Sequence, residues 1–184
     1  PVNDLNKLNI IHGSCRKAHG GYEDGLRGLD TILGYTYNDA NYRPQQLFLT
    51  GDQIYGDDVA DVLSYMIQQI MPTIMGYGEA LPDIPTVFTL GPGEREEATR
   101  TYGGFTCYDG YGKSHSLRMS DYIGLYMLAW SEVLWPSTLP SYATVGTPTD
   151  EDTFDEESLA VSTFRSQIGQ VRKSLANIAV FTVF

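Results

Sequence analysis

The sequence predicts an α/β fold, and three observations carry that prediction. Short apolar runs at Lys7 to His12 and Gln46 to Leu49 read as buried strands. Segments with helical apolar spacing separate and follow them, the order expected of strands joined by crossover helices. Just beyond the two runs stand Cys15 and Asp52. In open sheets of this kind, functional groups gather beyond the carboxyl ends of the strands. At 184 residues the chain is expected to be one domain, burying roughly 70% of the surface its unfolded form would expose.

Taken in order, Lys7 to His12 is the first strand, and Gly13-Ser14-Cys15-Arg16 is its exit turn. A polar, glycine-rich stretch follows, with a helix expected near Glu23 to Leu33 carrying Leu26, Leu29, Ile32 and Leu33 on one face. The second strand then empties into Thr50-Gly51-Asp52-Gln53-Ile54-Tyr55, where Gly51 is read as permitting a tight turn. Asp57 or Asp58 is expected to cap the next helix, whose Val59, Val62, Leu63, Met66, Ile67 and Ile70 recur at helical spacing up to Pro72.

The segment from Pro72 to Ser120 is rich in Gly, Pro, Tyr and Thr and reads as long loops with short helical pieces, an insertion suited to shaping a pocket. Tyr122 to Trp135 is a hydrophobic helix ended by Pro136, with Trp130 and Trp135 in the core. The acids from Asp150 to Glu157 read as a solvated loop, followed by a helix from Ser158 to Ala176 and a strand from Ile178 to Phe184. Because that strand pattern stops without a turn or polar tail, the chain is expected to be the amino-terminal part of a longer domain.

Composition narrows the partners. A formal net charge of −11 leaves no basic stripe for a nucleic-acid backbone, while a small phosphorylated ligand needs only a few cations or a metal. The longest apolar stretch, Tyr122 to Trp135, is interrupted by Ser131 and Glu132, so a soluble chain without a membrane span is expected. The residues after Pro1 do not form the charged-then-apolar pattern of a secretory leader, and the compartment is left open. Cys15 and Cys107 do not make a disulfide framework, although one isolated bridge stays open.

Cys15, Asp52 and Tyr55 are the candidate metal ligands: a thiolate, a carboxylate and a phenolate. Two anionic donors of this kind suit a trivalent iron, and a carboxylate can bridge to a second, harder ion. Arg16 is a candidate phosphate contact, with a solvated arginine as the alternative. His12, His19 and His115 show no metal-ligand spacing. No Gly-x-Ser-x-Gly elbow occurs, and Gly91-Pro92-Gly93 lacks the Lys-Ser/Thr of a phosphate-binding loop, so it reads as a turn.

His12-Gly-Ser-Cys-Arg16, together with Arg43-Pro-Gln-Gln-Leu-Phe-Leu-Thr-Gly-Asp-Gln-Ile-Tyr55 and Asp57-Asp58, resembles the amino-terminal half of the PhoD-like phosphatases of the calcineurin-like metallophosphoesterase superfamily. The Gly91-Pro-Gly93 turn, Tyr126-Met-Leu-Ala-Trp-Ser131 with Leu134-Trp-Pro136, and Val171 to Phe184 resemble that family in the same order. The resemblance implies a partial metallophosphoesterase-type sandwich, here a strand-helix-strand core with a loopy insertion and flanking helices. It implies a hydrolase acting on phosphate mono- or diesters, with Cys15, Asp52 and Tyr55 binding Fe3+ and Asp52 bridging to a divalent ion such as Ca2+. It also implies that further aspartate and histidine ligands follow Phe184, so that the chain alone is expected to be inactive, with an exposed sheet edge inviting homo-oligomers. Two alternatives stand beside it: a non-catalytic binding or assembly module of the same descent, and an α/β domain without metal.

Overall fold

The computed structural model describes residues 4–84, 87, 89–103 and 112–182. Cys107 and the last two residues of the expected final strand lie outside these. Strands β1 (Ile10–Gly13), β2 (Gln46–Leu49) and β3 (Ala179–Thr182) pair in parallel in the order β1-β2-β3. Gly13 stands opposite Leu49, and Leu49 opposite Thr182. The carboxyl ends of the strands are therefore aligned, and the loops after β1 and β2 leave the sheet at the same edge. Mixed α/β architecture follows from this pairing, because parallel neighbours need a crossover and helices provide it.

Helix α1 (Arg27–Thr36) makes the first crossover and begins four residues later than the sequence suggests. The chain from Asp24 to Leu26 is instead a turn in which the Asp24 side chain accepts from the Leu26 backbone N–H at 3.0 Å. The second crossover runs through α2 (Asp61–Met75), α3 (Glu96–Tyr102), α4 (Met119–Trp130), α5 (Tyr142–Val145) and α6 (Glu151–Leu175) before β3. Among the described residues no helix is long and apolar enough to cross a membrane.

The alternation of β2 decides which face of the sheet is covered. Leu47 and Leu49 are buried with Leu29 and Leu33 of α1, and Ile11, Leu175 and Val180 pack on that cluster. Helices α1 and α6 lie against each other on this side, as two crossovers of the same hand would place them. On the opposite face Ile10 and Phe181 are exposed, and Phe48 stacks on Phe181 with ring centroids 4.9 Å apart. Among the described residues no helix packs on this face, which is unusual, because parallel sheets are ordinarily covered on both.

A second, larger core joins α2, α4 and α6. Val62, Leu63, Met66, Ile67 and Met71 of α2 meet Leu125, Leu128 and Ala129 of α4 and Phe154, Val161, Phe164 and Ile168 of α6. The approach of α4 to α2 depends on Gly124, where an added Cβ would stand 2.8 Å from Ile67 Cγ2 and 3.0 Å from Met71 Cγ. In a helix a β-branched side chain is largely confined to one χ1 rotamer, so Ile67 Cγ2 has little freedom to move away. Gly124→Ala should therefore destabilise the protein by about 1 kcal/mol net, an overpacking cost of ~1–3 kcal/mol less the ~1 kcal/mol that alanine gains in a helix. Urea unfolding measures it, and a stabilised variant would contradict this packing.

Three expected boundaries move for local reasons. Helix α2 passes through Pro72 and ends at Gly76, which adopts φ 74° and donates its N–H to the Pro72 carbonyl at 3.1 Å. Its N-cap is Ala60, so neither Asp57 nor Asp58 caps it. The acidic stretch from Asp150 to Glu157 is helical, not a loop. Asp150 caps α6 by accepting from the Thr153 N–H at 3.0 Å, and Glu151 and Asp152 fall in the first turn, where the helix dipole favours acids. Helix α4 stops at Trp130, five residues before the expected Trp135, which is nevertheless buried and donates its indole N–H to the Leu128 carbonyl at 3.0 Å.

Candidate metal centre

The structure brings Cys15, Asp52 and Tyr55 together. Beyond β1 and β2 the two exit loops run side by side, joined by the Thr50 N–H donating to Gly13 O at 3.1 Å and the Arg16 N–H donating to Asp52 O at 2.8 Å. His12 and Thr50 add a side-chain contact through Nε2 and Oγ1. Cys15 is exposed and is the only non-glycine among the described residues with positive φ, at 60°. That left-handed conformation is costly for a side-chain-bearing residue and is found disproportionately at functional sites. It turns the thiol toward the Asp52–Tyr55 loop.

Hydrogen bonds from two directions act on the thiol. Ser14 Oγ lies 3.1 Å from Cys15 Sγ, and this contact, with that of the Tyr55 hydroxyl, lowers the Cys15 pKa despite the opposing charge of Asp52. The same bond acts in the opposite sense on the phenol: the contact with Cys15, then desolvation and the nearby acids, push Tyr55 up to about 12. With no cation present the phenol thus keeps its proton and shares it with Cys15 Sγ. A cation binding both atoms would displace that proton, and binding is accordingly expected to release it.

Gly51 holds the loops in contact by close approach and not by a tight turn, since its φ is not positive. An added Cβ would fall 1.7 Å from Ser14 Oγ, 2.9 Å from Ser14 Cβ and 3.2 Å from the Cys15 nitrogen. Sequence reading treated Ser14 merely as a small turn residue. Its contact with the thiol is between neighbours in the chain, whereas its approach to Gly51 arises across the two loops, and no local pattern announces it.

Tyr55 is held from behind by Lys17, whose Nζ lies 5.9 Å from the ring centroid and donates to Asp58 Oδ2 at 2.6 Å. His19 Nε2 lies 3.4 Å from the other oxygen of Asp58. Burial pulls Asp58 upward, but the bonds and charges of His19 and Lys17 outweigh it and hold its pKa at about 2. Asp58, expected as a helix cap, therefore serves as the anchor of this ion pair.

Arg16, the candidate phosphate contact, points elsewhere. It is buried, with Nε donating to Asp24 Oδ2 at 2.8 Å, and its guanidinium stacks over Trp130 at 4.2 Å and Phe164 at 4.6 Å. To reach a phosphate at Cys15 it would have to leave Asp24 and both rings. Among the described residues there is no group of three or more His, Cys, Asp and Glu side chains poised for a metal. Cys15 and Asp52 supply two such donors, and the third donor of the candidate centre is the Tyr55 phenol. No family model, curated protein or solved structure matches the chain.

Proposed function

We propose that the chain forms part of the metal centre of a PhoD-like phosphatase, a hydrolase of phosphate mono- or diesters in its full-length form. The observation that carries this reading is the convergence of Cys15, Asp52 and Tyr55 from two loops, with Cys15 held at φ 60°. The donor set fits the expected ions: thiolate and phenolate suit Fe3+, and a carboxylate suits a bridge to Ca2+ or another divalent ion. When bound, such ions supply an activated water and neutralise phosphoryl charge. Cys15 and Tyr55 hold their donor atoms in mutual contact, while Ser14 and Gly51 fix the separation of the loops. The bare sheet face around Ile10, Phe48 and Phe181 suits one layer of a two-layer sandwich.

Titration with Fe3+ under visible absorption tests the proposal. A charge-transfer band is expected in the full-length protein, absent in Tyr55→Phe and at least tenfold weaker in apparent affinity in Asp52→Asn. Full-length protein that stays colourless and iron-free would sink it. Hydrolysis of a chromogenic phosphodiester by the full-length protein, lost in Asp52→Asn, separates the enzyme from a non-catalytic binding or assembly module. The commitment of Arg16 to Asp24 is the observation that favours the module.

A further inference from the structure

Where the starts of α2 and α6 meet the loop after β1 lies a cavity of about 230 Å³ that the metal reading does not use. It is smaller than the roughly 300–1,000 Å³ of drug-sized ligand sites, so it suits a ligand of few heavy atoms. None of Cys15, Asp52 and Tyr55 lines it. Its wall carries both signs of charge, with Lys17 and Lys113 on one side of the balance and Asp58, Asp61 and Glu157 on the other.

Most of these charges are engaged within the protein. Lys17 donates to Asp58 Oδ2 at 2.6 Å, and His19 Nε2 lies 3.4 Å from Asp58 Oδ1. Asp61 accepts from the hydroxyls of Ser114 and Thr147. Glu157 and Lys113 are left. Glu157 Oε2 accepts from the Asp61 backbone N–H at 3.1 Å, while Oε1 makes no hydrogen bond among the described residues. The Lys113 ammonium forms no ion pair among the described residues, yet its charge reaches Glu157 and pulls its pKa down. Both residues are partly exposed, so their free ends are open to a ligand. Opposite charges that share a wall without touching favour a molecule carrying both signs, which can set one end on each. Burial, with the charges of Asp61 and Asp58, outweighs Lys113 and raises the Glu157 pKa, so an added ammonium is favoured there. Thr149 and His19 line the same wall, and each holds a buried polar atom, Oγ1 and Nδ1, without a hydrogen-bond partner among the described residues. An apolar occupant would leave them so, which buried polar atoms rarely are. Both atoms are covered, and the ends of the ligand rest on Glu157 and Lys113 instead.

We infer that this cavity binds a small zwitterion of the α-amino acid class, its ammonium on Glu157 Oε1 and its carboxylate on Lys113 Nζ. The volume favours the smallest members of the class, such as glycine, alanine and serine.

Glycine, methylamine and acetate, which carry both charges, the positive one and the negative one, test the assignment by backbone amide chemical-shift titration of the full-length protein. Saturable shifts at Lys113 and Glu157 are expected with glycine. Methylamine and acetate should each bind at least tenfold more weakly, since each lacks one charge-assisted hydrogen bond. Glu157→Gln keeps an oxygen to accept from the Asp61 N–H, and it should weaken glycine at least tenfold while acetate binds no more weakly than before. Lys113→Met should weaken glycine to the same extent while methylamine binds no more weakly than before. Absence of saturable glycine shifts up to ~10 mM, where a site with a Kd of ~1 mM is filled, in a protein of native spectrum overturns the site. Methylamine or acetate bound as tightly as glycine overturns the zwitterion. Glycine binding undiminished in either variant overturns the residues assigned to hold it.

Discussion

Asp121→Asn should be the most destabilising single substitution in the loop-rich part of the chain, costing on the order of 3–5 kcal/mol in urea unfolding. Asp121 is 2% exposed and lies between two buried arginines. Its Oδ2 accepts from Arg95 at 2.9 Å and from the backbone N–H groups of Leu117 and Arg118, both at 3.1 Å, while Oδ1 accepts from Arg118 at 2.7 Å. Arg95, 1% exposed, also donates to the His115 carbonyl at 2.9 Å. This carboxylate ties the entry to α3, the loop before α4 and the first turn of α4 into one unit. Asparagine would leave two buried cations without a counter-charge, which is why the loss exceeds that of an ordinary hydrogen bond.

The pH dependence carries a definite sign. Burial alone would raise the Asp121 pKa, but the charge of Arg95 and the bonds from Arg118 and Leu117 outweigh it and lower it. A carboxylate whose folded pKa is depressed stabilises fully above its unfolded value, and that contribution is lost as pH falls through the folded one. The stability gap between wild type and Asp121→Asn is therefore constant near neutrality and narrows below the ordinary value of 3.8. A gap that widened on acidification would contradict the assignment.

Gly51→Ala is the second large effect, and it reaches both stability and the candidate metal centre. With a Cβ only 1.7 Å from Ser14 Oγ and 2.9 Å from Ser14 Cβ, the two loops must separate. A cost of about 1–3 kcal/mol is expected from such overpacking, together with weakened Fe3+ binding, because Cys15 moves away from Tyr55. Since two of the three close contacts belong to the Ser14 side chain, Ser14→Gly should relieve most of the cost, giving a favourable coupling of roughly 1 kcal/mol or more in a double-mutant cycle. Additive effects would show that the strain lies elsewhere.

Strand and helix order was legible in the sequence because it rests on local periodicity. The runs around Ile10 and Gln46 to Leu49 became β1 and β2, and Val62, Leu63, Met66 and Ile67 form the buried face of α2 as their spacing demands. Element ends were less legible. Asp150 and the acids after it look like a solvated loop until a capping bond to Thr153 makes them the start of α6. Pro72 looks like a stop, yet α2 runs three residues further to Met75 and is capped by Gly76, with Met71 buried in the core.

The sequence by itself determined which donors stand at the ends of β1 and β2: Cys15 after one, Asp52 and Tyr55 after the other. Parallel pairing in register then required those ends to share an edge. Only the tertiary structure decided what each neighbouring residue does with its polar group. It sent Arg16 to the Trp130 and Phe164 rings, used Asp58 to hold Lys17 and His19, and seated Gly51 against Ser14. The physical reason is range: periodicity is written in residues a few positions apart, whereas these partners meet across loops and helices distant in the chain, where burial and charge choose among several possible pairings.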